Sequence, residues 1–396
     1  MGLATQILTV ALISLRSVPQ RLGNSLVIVT GMTGVVAVLL SVLALYTNFR
    51  HTITADGRRD RAIILSNSAT AEYDSSLSPA DIALLSDAPG IRHNSANKPL
   101  VSAEVVLMAP VARRRDNSDV NITMRGVGEQ YFAMRPELKI IAGRMLRAGT
   151  QELVVGESAR SEFAGLDIGN RLRLQGGDWT IVGIYTGNNG SRDSELVGDA
   201  QTTMSAYKLT AANTLLVALD SAASLEALRA YVRVQPTLKV AAISEPEYLA
   251  GASGTVNHLL RLVAYAVGSI MALGALFAAL NSMHSSVASR KVEIATLRAL
   301  GFSSLAVAAA VLLESVLLAL IGAAAGVAVA YVAFNGTVIS TLGGAQYDSQ
   351  LVYALIITPM LAGFAVVTAC ALGLAGAVPP AIQAATGSVA EGLRET

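Results

Sequence analysis

The side chains that could carry acid–base, nucleophilic or metal chemistry are few and scattered in this 396-residue chain. Its four histidines lie without metal-ligand spacing, at His51, His93, His258 and His284. Ser205 and Lys208 match an S-x-x-K pattern, but the K-T-G and S-D-N motifs that accompany it in hydrolases are absent, so a chance match is favoured. The G-x-x-x-x-G-K-[ST] phosphate loop is absent as well. The sequence therefore predicts no catalytic or metal site and no ATP hydrolysis by a phosphate loop.

A short charged segment, residues 290–302, stands between two long apolar runs. Asp, Glu, Lys and Arg are missing from residues 262–289, and Glu314 is the only such residue from 303 to 347. A polar hinge between two membrane spans must lie at a membrane surface, where a partner protein can reach it. The segment either anchors the chain by its positive charge or docks to a partner, and the pattern alone leaves both open.

The composition separates membrane-like flanks from a middle that is typical of a soluble domain. Hydrophobic residues make up 53% of the sequence and charged residues only 14%, against about 25% charged residues in ordinary soluble domains. The net charge of +1 gives no electrostatic basis for binding nucleic acid. The single cysteine, Cys370, excludes a disulfide within the chain.

Four stretches are apolar over at least the roughly 20 residues that a bilayer requires. We predict transmembrane helices over residues 22–49, 259–283, 305–334 and 351–374. The first is too long for the apolar part of a signal peptide and lacks an evident cleavage site, so a retained helix is favoured. The predicted fold class is an α-helical membrane protein of four transmembrane helices, with a large α+β extracytoplasmic domain between helices one and two.

Lysine and arginine residues in short loops predict the orientation of the chain. Two arginines precede the first span, three basic residues lie in the loop 284–304, and Arg394 follows the last span, whereas the loop near 335–350 has none. Both termini and the 284–304 loop are therefore predicted to be cytoplasmic. Residues 1–21 predict an amphipathic helix on the cytoplasmic face, ending near Pro19, with a frayed N-terminus as the alternative.

Residues 50–258 alternate between strand and helix patterns. A Ser78-Pro79 pair is typical of a helix start, and a hairpin is predicted around Gly176. These signals indicate an α+β domain of two lobes, with residues 113–205 inserted into the other lobe. At about 200 residues such a domain can bury an adequate core without disulfides.

The predicted spans contain small-residue faces and one acid. The small residues predict helix packing, and a dimer seam on the same faces is an added hypothesis. They are Gly31, Gly34, Gly268, Ala272 and Ala275. Glu314 is the one ionisable residue well inside a span, where a charge costs at least about 2.5–3.5 kcal/mol. A proton or substrate site is one interpretation. A structural hydrogen bond is favoured, because no second intramembrane charge accompanies Glu314.

Three sequence blocks resemble the permease family of MacB/FtsX-like ABC transporters. Residues 289–302, followed by Glu314, Gly322 and Gly326, are similar to the carboxy-terminal membrane domain of the family and form the most specific block. The other two are similar to its extracytoplasmic domain. They are Arg125-Gly126-Val127 with Gly143-Arg144-Met145-Leu146, and Glu152-Leu153-Val154-Val155-Gly156 with Asp167-Ile168-Gly169 and Trp179-Thr180-Ile181-Val182-Gly183. The likeness covers nearly the whole chain in the same order.

The resemblance implies a dimer, formed with a second permease copy or a paralogue, in a bacterial inner membrane. It also implies a cytoplasmic ABC ATPase subunit that binds ATP and Mg²⁺, while this chain itself holds no cofactor. Since the first span begins near residue 22, and not after an ATPase domain as in MacB, the ATPase is expected on a separate polypeptide. Membrane lipids are further expected partners, and a periplasmic adaptor protein is left open.

The resemblance makes the 284–304 loop the element that receives ATPase motion. The candidate coupling residues are Arg290, Lys291, Glu293, Leu297, Arg298 and Gly301. The expected function is mechanotransmission from ATP hydrolysis to the extracytoplasmic domain, for export or extraction of a hydrophobic, lipid or peptide substrate. The alternative is a membrane-anchored sensor or scaffold whose outer domain binds a ligand or partner protein. An ion-coupled transporter is disfavoured because an inverted repeat is lacking.

Overall fold

A computed structural model describes residues 6–7, 10, 22–187, 190–252, 254–344 and 347–387. The predicted amphipathic helix over residues 1–21 lies outside the described residues, except for Gln6, Ile7 and Val10, which are helical. The chain divides into two compact units. The membrane unit comprises Met1–Tyr46, Leu260–Thr337 and Leu355–Thr396, and the α/β unit comprises Thr47–Leu259 and Val338–Ala354.

Helices form both units, and strands form the sheet of the α/β unit. The described helices are α1 (Leu22–Ala55), α2 (Pro79–Ser86), α3 (Tyr131–Met134), α4 (Glu157–Glu162), α5 (Ala200–Tyr207), α6 (Ser224–Val234), α7 (Glu245–Ala252), α8 (Gly254–Ala288), α9 (Lys291–Ala299), α10 (Ser304–Phe334) and α11 (Pro359–Thr386). The described strands are β1 (Arg61–Ser66), β2 (Val101–Ala112), β3 (Asp119–Val127), β4 (Lys139–Gly143), β5 (Glu152–Gly156), β6 (Arg171–Leu174), β7 (Gly177–Thr186), β8 (Leu196–Asp199), β9 (Thr214–Ala218), β10 (Val240–Ser244), β11 (Val338–Gly344) and β12 (Tyr347–Ala354). The boundary between the units falls inside α1 and inside α8.

Four described helices, α1, α8, α10 and α11, are long and apolar enough to cross a membrane, which confirms the predicted number. The predicted start of the fourth span at residue 351 was wrong. Residues 351–354 belong to β12, and α11 begins at Pro359, after the Thr358 side chain accepts a hydrogen bond from the backbone N–H of Leu361. An apolar run of this kind fits a buried strand as well as a span, so hydropathy alone misplaced the boundary.

Glycines bring the helices of the membrane unit into close contact. A methyl group on Gly322 of α10 would lie 2.6 Å from the Cβ of Met32 on α1, and one on Gly376 of α11 would lie 2.7 Å from the Cβ of Ala279 on α8. Any side chain at these positions would force the helices apart, so the glycines define the packing distance. The Ser315 hydroxyl of α10 donates a hydrogen bond to the Gly373 carbonyl of α11 at 2.8 Å, which adds a polar contact.

The small residues singled out from the sequence make looser contacts in the same unit. A methyl group added at Gly31 would lie 3.9 Å from the Cβ of Ala278, and one added at Gly268 would lie 3.4 Å from the Leu39 side chain. Both glycines therefore lie where α1 and α8 approach each other. Ala275 is buried and Ala272 is half-buried. Gly34 has no heavy atom within 4 Å of such a methyl group among the described residues. Helix packing accounts for most of these positions, and the dimer seam remains a prediction.

A mixed sheet forms the centre of the α/β unit. Its hydrogen-bonded strand order is β10-β1-β9-β2-β3-β8-β5-β7-β4, with β6 paired to β7 and the β11–β12 hairpin joined to β3. The β3–β8 and β5–β7 pairs are parallel, and the remaining pairs along this path are antiparallel. The predicted hairpin corresponds to β6 and β7, and Ser78 caps α2 as predicted, accepting a hydrogen bond from the Asp81 N–H.

Two separate hydrophobic cores divide the α/β unit into two lobes. The core of the first lobe contains apolar side chains of β1, β9, β10, α2 and α6. The core of the second lobe is drawn from β2, β3, β5, β7, β8 and α4, and centres on the fully buried Trp179. Val352 of β12, which lies between α10 and α11 along the chain, belongs to the second core. The prediction that this domain comes wholly from the residues between spans one and two was therefore incomplete.

Candidate functional site

The charged segment singled out from the sequence forms the short helix α9 between α8 and α10 of the membrane unit. Its C-terminus is closed by a Schellman motif, in which the Phe302 N–H donates to the Leu297 carbonyl at 3.2 Å and the Gly301 N–H donates to the Arg298 carbonyl at 3.1 Å. Gly301 adopts a φ of +94°, which glycine tolerates without strain. Gly301 therefore ends the helix and turns the chain into α10, whose first turn is capped by Ser303.

One face of α9 packs into the membrane unit. Ala295 is buried, and Ile294 contacts the core that contains Val287, Val307 and Val311. Leu297 is half-buried and lines a small cavity of about 30 Å³ beneath the helix, together with Glu314 and other side chains of the unit. A space of that size is comparable with a single water molecule. The inward face is thus fixed by packing rather than free to meet a partner.

Arg290 and Glu314 form a buried ion pair beneath the start of α9. The Arg290 Nη1 atom donates to the Glu314 Oε2 atom at 2.7 Å, and each residue is only 6% exposed. The expectation that no charge accompanies Glu314 was therefore wrong. Arg290 follows the end of α8, and the turn there brings its side chain to the third turn of α10, a pairing across 24 residues that no local pattern reveals. The pair supports a structural role for Glu314.

The opposite face of α9 is exposed. Val292, Thr296 and Leu300 are four residues apart and form one stripe, in which Val292 is 42% and Leu300 72% exposed. Lys291 and Glu293 are exposed beside it. An exposed stripe with an apolar side chain at each end and charged neighbours is typical of a docking surface.

The structure divides the six predicted coupling residues between the two faces. Lys291, Glu293 and Gly301 are exposed, whereas Arg290 is buried and Leu297 and Arg298 are half-buried. The guanidinium of Arg298 donates to the backbone carbonyl of Gly387, at the end of α11. Val292, Thr296 and Leu300 were missed as candidates because the sequence shows a helical face but not which side of the helix packs inward.

A second polar centre lies buried in the α/β unit around Arg125 of β3. Its guanidinium donates to Glu72 at 2.8 Å, to Glu104 at 2.7 Å and to Glu195 at 2.8 Å, and Arg192 donates to Glu195 at 3.0 Å. Burial raises the pKa of Glu104 despite its arginine partner. Burial also opposes ionisation of Glu195, but Arg125 and Arg192 hold the pKa of that carboxyl below its usual value.

The Arg125 cluster ties several elements together rather than forming an open catalytic site. Glu104 lies on β2, Glu72 lies in a 3₁₀ turn, and Glu195 directly precedes β8. Each side chain is at most 10% exposed. The sequence block Arg125-Gly126-Val127 carried part of the family resemblance, but the acidic partners are too far apart in sequence to be found from spacing. Within the described residues, no His, Cys, Asp and Glu cluster could hold a metal ion.

The S-x-x-K match has a local structural explanation. Lys208 follows α5 with a φ of +56°, and its backbone N–H donates to the Ser205 carbonyl at 3.3 Å. The pair therefore belongs to the end of a helix, and it gives no nucleophile–base contact.

Two family models cover most of the chain. A model described as a MacB-like periplasmic core domain matches residues 24–235, and one described as the FtsX-like permease C-terminal region matches residues 265–389. The chain is 28% identical over 232 residues to the macrolide export ATP-binding/permease protein MacB of Rhodopseudomonas palustris (strain BisB18). That match covers 54% of this chain and 35% of the relative, so the chain spans about a third of the length of the curated relative it matches.

Solved structures of similar domains were also found. The periplasmic region of MacB from Actinobacillus actinomycetemcomitans is 16% identical, with 51% of this chain and 92% of that chain covered and a TM-score of 0.36. The extracellular domain of the noncanonic ABC-type transporter YknZ from Gram-positive bacteria is 14% identical, with 46% of this chain and 100% of that chain covered and a TM-score of 0.36.

Proposed function

The chain belongs to the MacB/FtsX-like family of ABC transporter permeases, and from this premise we propose that it transmits the energy of ATP hydrolysis by a separate cytoplasmic ATPase to its α/β unit. As a permease it is the membrane subunit of an ABC transporter. The proposal adds the direction of force and the site that receives it. It also places both termini and α9 in the cytoplasm and the α/β unit outside a bacterial inner membrane, in line with the lysine and arginine distribution.

The exposed stripe of α9 is the observation that carries the proposal. It lies on α9, a charged helix between two membrane-spanning helices, and among the residues that the structure describes its side chains are not part of the packed core of the membrane unit. An ATPase groove that accepts Val292 and Leu300 would bury apolar area, and Lys291 and Glu293 would select the partner by charge. Docking explains the stripe better than charge anchoring, which requires only basic residues.

The buried ion pair makes α9 suitable for receiving force. Arg290 fixes the start of α9 to α10 through Glu314, and Arg298 fixes its end to the residue after α11. Since both ends are held, a displacement of α9 is passed on to two spans instead of being absorbed by a loose loop.

A substrate that is already outside, or in the outer part of the bilayer, fits this arrangement. The described spans consist mainly of Ala, Val, Leu and Gly, and the acid inside them, Glu314, is paired to Arg290. A polar route through the spans is therefore not favoured by the residues that line them. We propose export or extraction of a hydrophobic, lipid or peptide substrate by a dimer of this permease.

The docking surface is tested by single substitutions on its two exposed apolar positions. Leu300→Asp and Val292→Asp place a charge in the proposed contact and should abolish co-purification with the ABC ATPase and its stimulation by the permease. Val234→Asp, at a 78% exposed position of the α/β unit, is the matched control and should leave both unchanged. Wild-type association of both α9 variants would show that the stripe is not the docking surface. Absence of any ATPase partner for the wild-type chain would favour the sensor or scaffold alternative.

A further inference from the structure

A short buried segment, residues 190–195, meets parts of the α/β unit that continue along the chain into the membrane helices. Its 3₁₀ turn, Ser191–Ser194, contains three consecutive polar residues that are almost fully buried: Arg192, Asp193 and Ser194. Buried polar side chains are retained only with partners, so the segment is specified by what it binds.

The first partner of the segment is the end of α1. Asp56 directly follows α1, and its Oδ2 atom accepts hydrogen bonds from the Ser191 hydroxyl at 2.8 Å and from the Arg192 N–H at 3.1 Å. Gly190 is needed for this approach, since a methyl group there would lie 2.0 Å from the other carboxylate oxygen. The Asp56 backbone carbonyl is held separately, by Arg61 at 2.6 Å.

The second partner is the hairpin between α10 and α11. The Ser194 hydroxyl accepts a hydrogen bond from the Val352 N–H at 2.9 Å and donates one to the Val352 carbonyl at 3.1 Å. The neighbouring Tyr353 ring meets the Phe49 ring of α1 edge to face, with centroids 6.0 Å apart. The end of α1 and strand β12 are thus linked to each other directly and through the same buried segment.

The third partner is the centre of the sheet. Arg192 binds Glu195, Glu195 binds Arg125 of β3, and Arg125 binds Glu104 of β2. The Arg192 carbonyl accepts a hydrogen bond from the Tyr185 hydroxyl of β7 at 2.6 Å. A movement of the segment therefore cannot occur without moving charged groups on several strands, and separating those groups inside the domain would be costly.

The chain leading into α8 is tied to the same region through Arg61. The Glu245 carboxylate, at the start of α7, binds Arg61 at 2.7 Å and also accepts a hydrogen bond from Arg135. Arg61 in turn holds the Asp56 carbonyl, so the end of α1 and the start of the α7–α8 segment share one buried guanidinium.

We propose that residues 190–195 form a junction that passes displacement of α1 and of the β11–β12 hairpin into the second lobe of the α/β unit. Asp56 and Ser194 are its positioning residues, because each joins the segment to one of these two parts of the chain. The proposal deepens the proposed function and rests on it. It assigns the connection between membrane and domain to specific hydrogen bonds, beyond the continuity of α1 and α8.

The test measures movement between the two lobes in the full chain with its ATPase. Spin labels at Val234→Cys and Ile141→Cys, which are 78% and 53% exposed, report the distance between the first and the second lobe. Cys370→Ser removes the only native cysteine. Labelled protein is diluted into unlabelled protein in nanodiscs, so that distances within one copy dominate. In the wild type, trapping the ATP-bound state should shift the measured distance.

Ser194→Ala should reduce the ATP-dependent shift to less than half, while the rate of ATP hydrolysis stays at the wild-type level. Ser102→Ala is the matched control, because Ser102 is an equally buried serine that accepts a hydrogen bond from the Gly128 N–H and, among the described residues, has no side-chain hydrogen bond to α1 or to the hairpin. Ser194→Thr keeps the hydroxyl and should restore the shift. Asp56→Ala should behave like Ser194→Ala, and Asp56→Asn, which keeps an acceptor oxygen, should recover part of the shift.

The outcomes separate the two levels of the proposal. If the wild type shows no ATP-dependent shift, the proposed function fails and the junction fails with it. If the wild type shifts and Ser194→Ala shifts as much as Ser102→Ala, the junction alone is refuted. The fluorescence of Trp179, the only tryptophan, reports whether each variant is folded. If Ser194→Ala does not fold, Asp56→Ala tests the junction in its place.

Discussion

The Arg290–Glu314 pair permits a quantitative test of how the membrane unit is stabilised. Both side chains are 7% exposed and their charged atoms are 2.7 Å apart. Removing one partner of such a pair leaves the other charge buried, which typically costs about 3–5 kcal/mol, whereas replacing both by apolar residues is often close to neutral. Arg290→Gln and Glu314→Leu should therefore each destabilise the unit strongly, and Arg290→Met with Glu314→Leu should recover most of the loss.

Cys370 provides the readout for this test. It is the only cysteine, it lies half-buried in α11, and α11 packs against α10 next to Glu314 through the Ser315–Gly373 hydrogen bond. A loss of about 3–5 kcal/mol raises the population of the opened unit by a factor between about 10² and about 4 × 10³. The rate of thiol labelling in detergent should rise accordingly in the single variants and return towards the wild-type rate in the double variant.

A matched control uses another arginine of the same segment. Arg298 is half-buried and donates to a single backbone carbonyl, so Arg298→Gln should change the labelling rate by no more than about tenfold. Glu314→Gln, which keeps the shape and one acceptor, should fall between the wild type and Glu314→Leu. A double variant that is labelled as fast as the single variants, or equal effects of Arg290→Gln and Arg298→Gln, would refute the reasoning.

Three further predictions concern single residues. Gly143→Ala should lower the melting temperature reported by Trp179 fluorescence far more than Gly149→Ala, because both have positive φ but only Gly143 would place its new methyl group 2.3 Å from a carbonyl oxygen of β7. Burial raises the pKa of the Glu245 carboxyl, but two buried arginines outweigh burial and hold this pKa below its usual value of 4.5. The ionised carboxylate therefore stabilises the folded protein above pH 4.5, and this contribution is lost as the pH falls through the lower pKa of the folded state. Glu245→Gln should flatten this acid dependence in the same fluorescence assay. Gly301→Ala strains the end of α9 by about 1 kcal/mol and should weaken ATPase association. The fluorescence of Trp179 should remain that of the folded α/β unit.

The long apolar helices and the regular strands of the α/β unit could be predicted from the sequence. The third span was predicted within one residue of α10, since a long apolar run with Glu314 as its one charged residue and a serine cap leaves little choice. The hairpin predicted around Gly176 matches β6 and β7, which pair as antiparallel strands. The start of the fourth span was misplaced because residues 351–354 are apolar for a different reason, burial in a sheet.

The buried charges could not be predicted, although each residue is visible in the sequence. Arg290 was predicted to be a coupling residue of a segment at the membrane surface, whereas its buried partner lies 24 residues away on another helix. Arg125 and its three glutamates come from four separate elements. Pairings of this kind depend on which faces of the elements meet, and local spacing carries no information on that. The exposed stripe of α9 was missed for the same reason.

The position of β12 in the second core has a consequence for the order of synthesis. Val352 is 1% exposed and packs among side chains of β3, β5 and β7, but it leaves the ribosome about 150 residues after β8, the last of the other strands of that core. At translation rates of roughly 5–20 residues per second, the incomplete domain waits about 8–30 s for its last strands. During that time α8 and α10 must already be inserted into the membrane. A nascent chain stalled after α8 should therefore show a protease-sensitive second lobe and a protected first lobe.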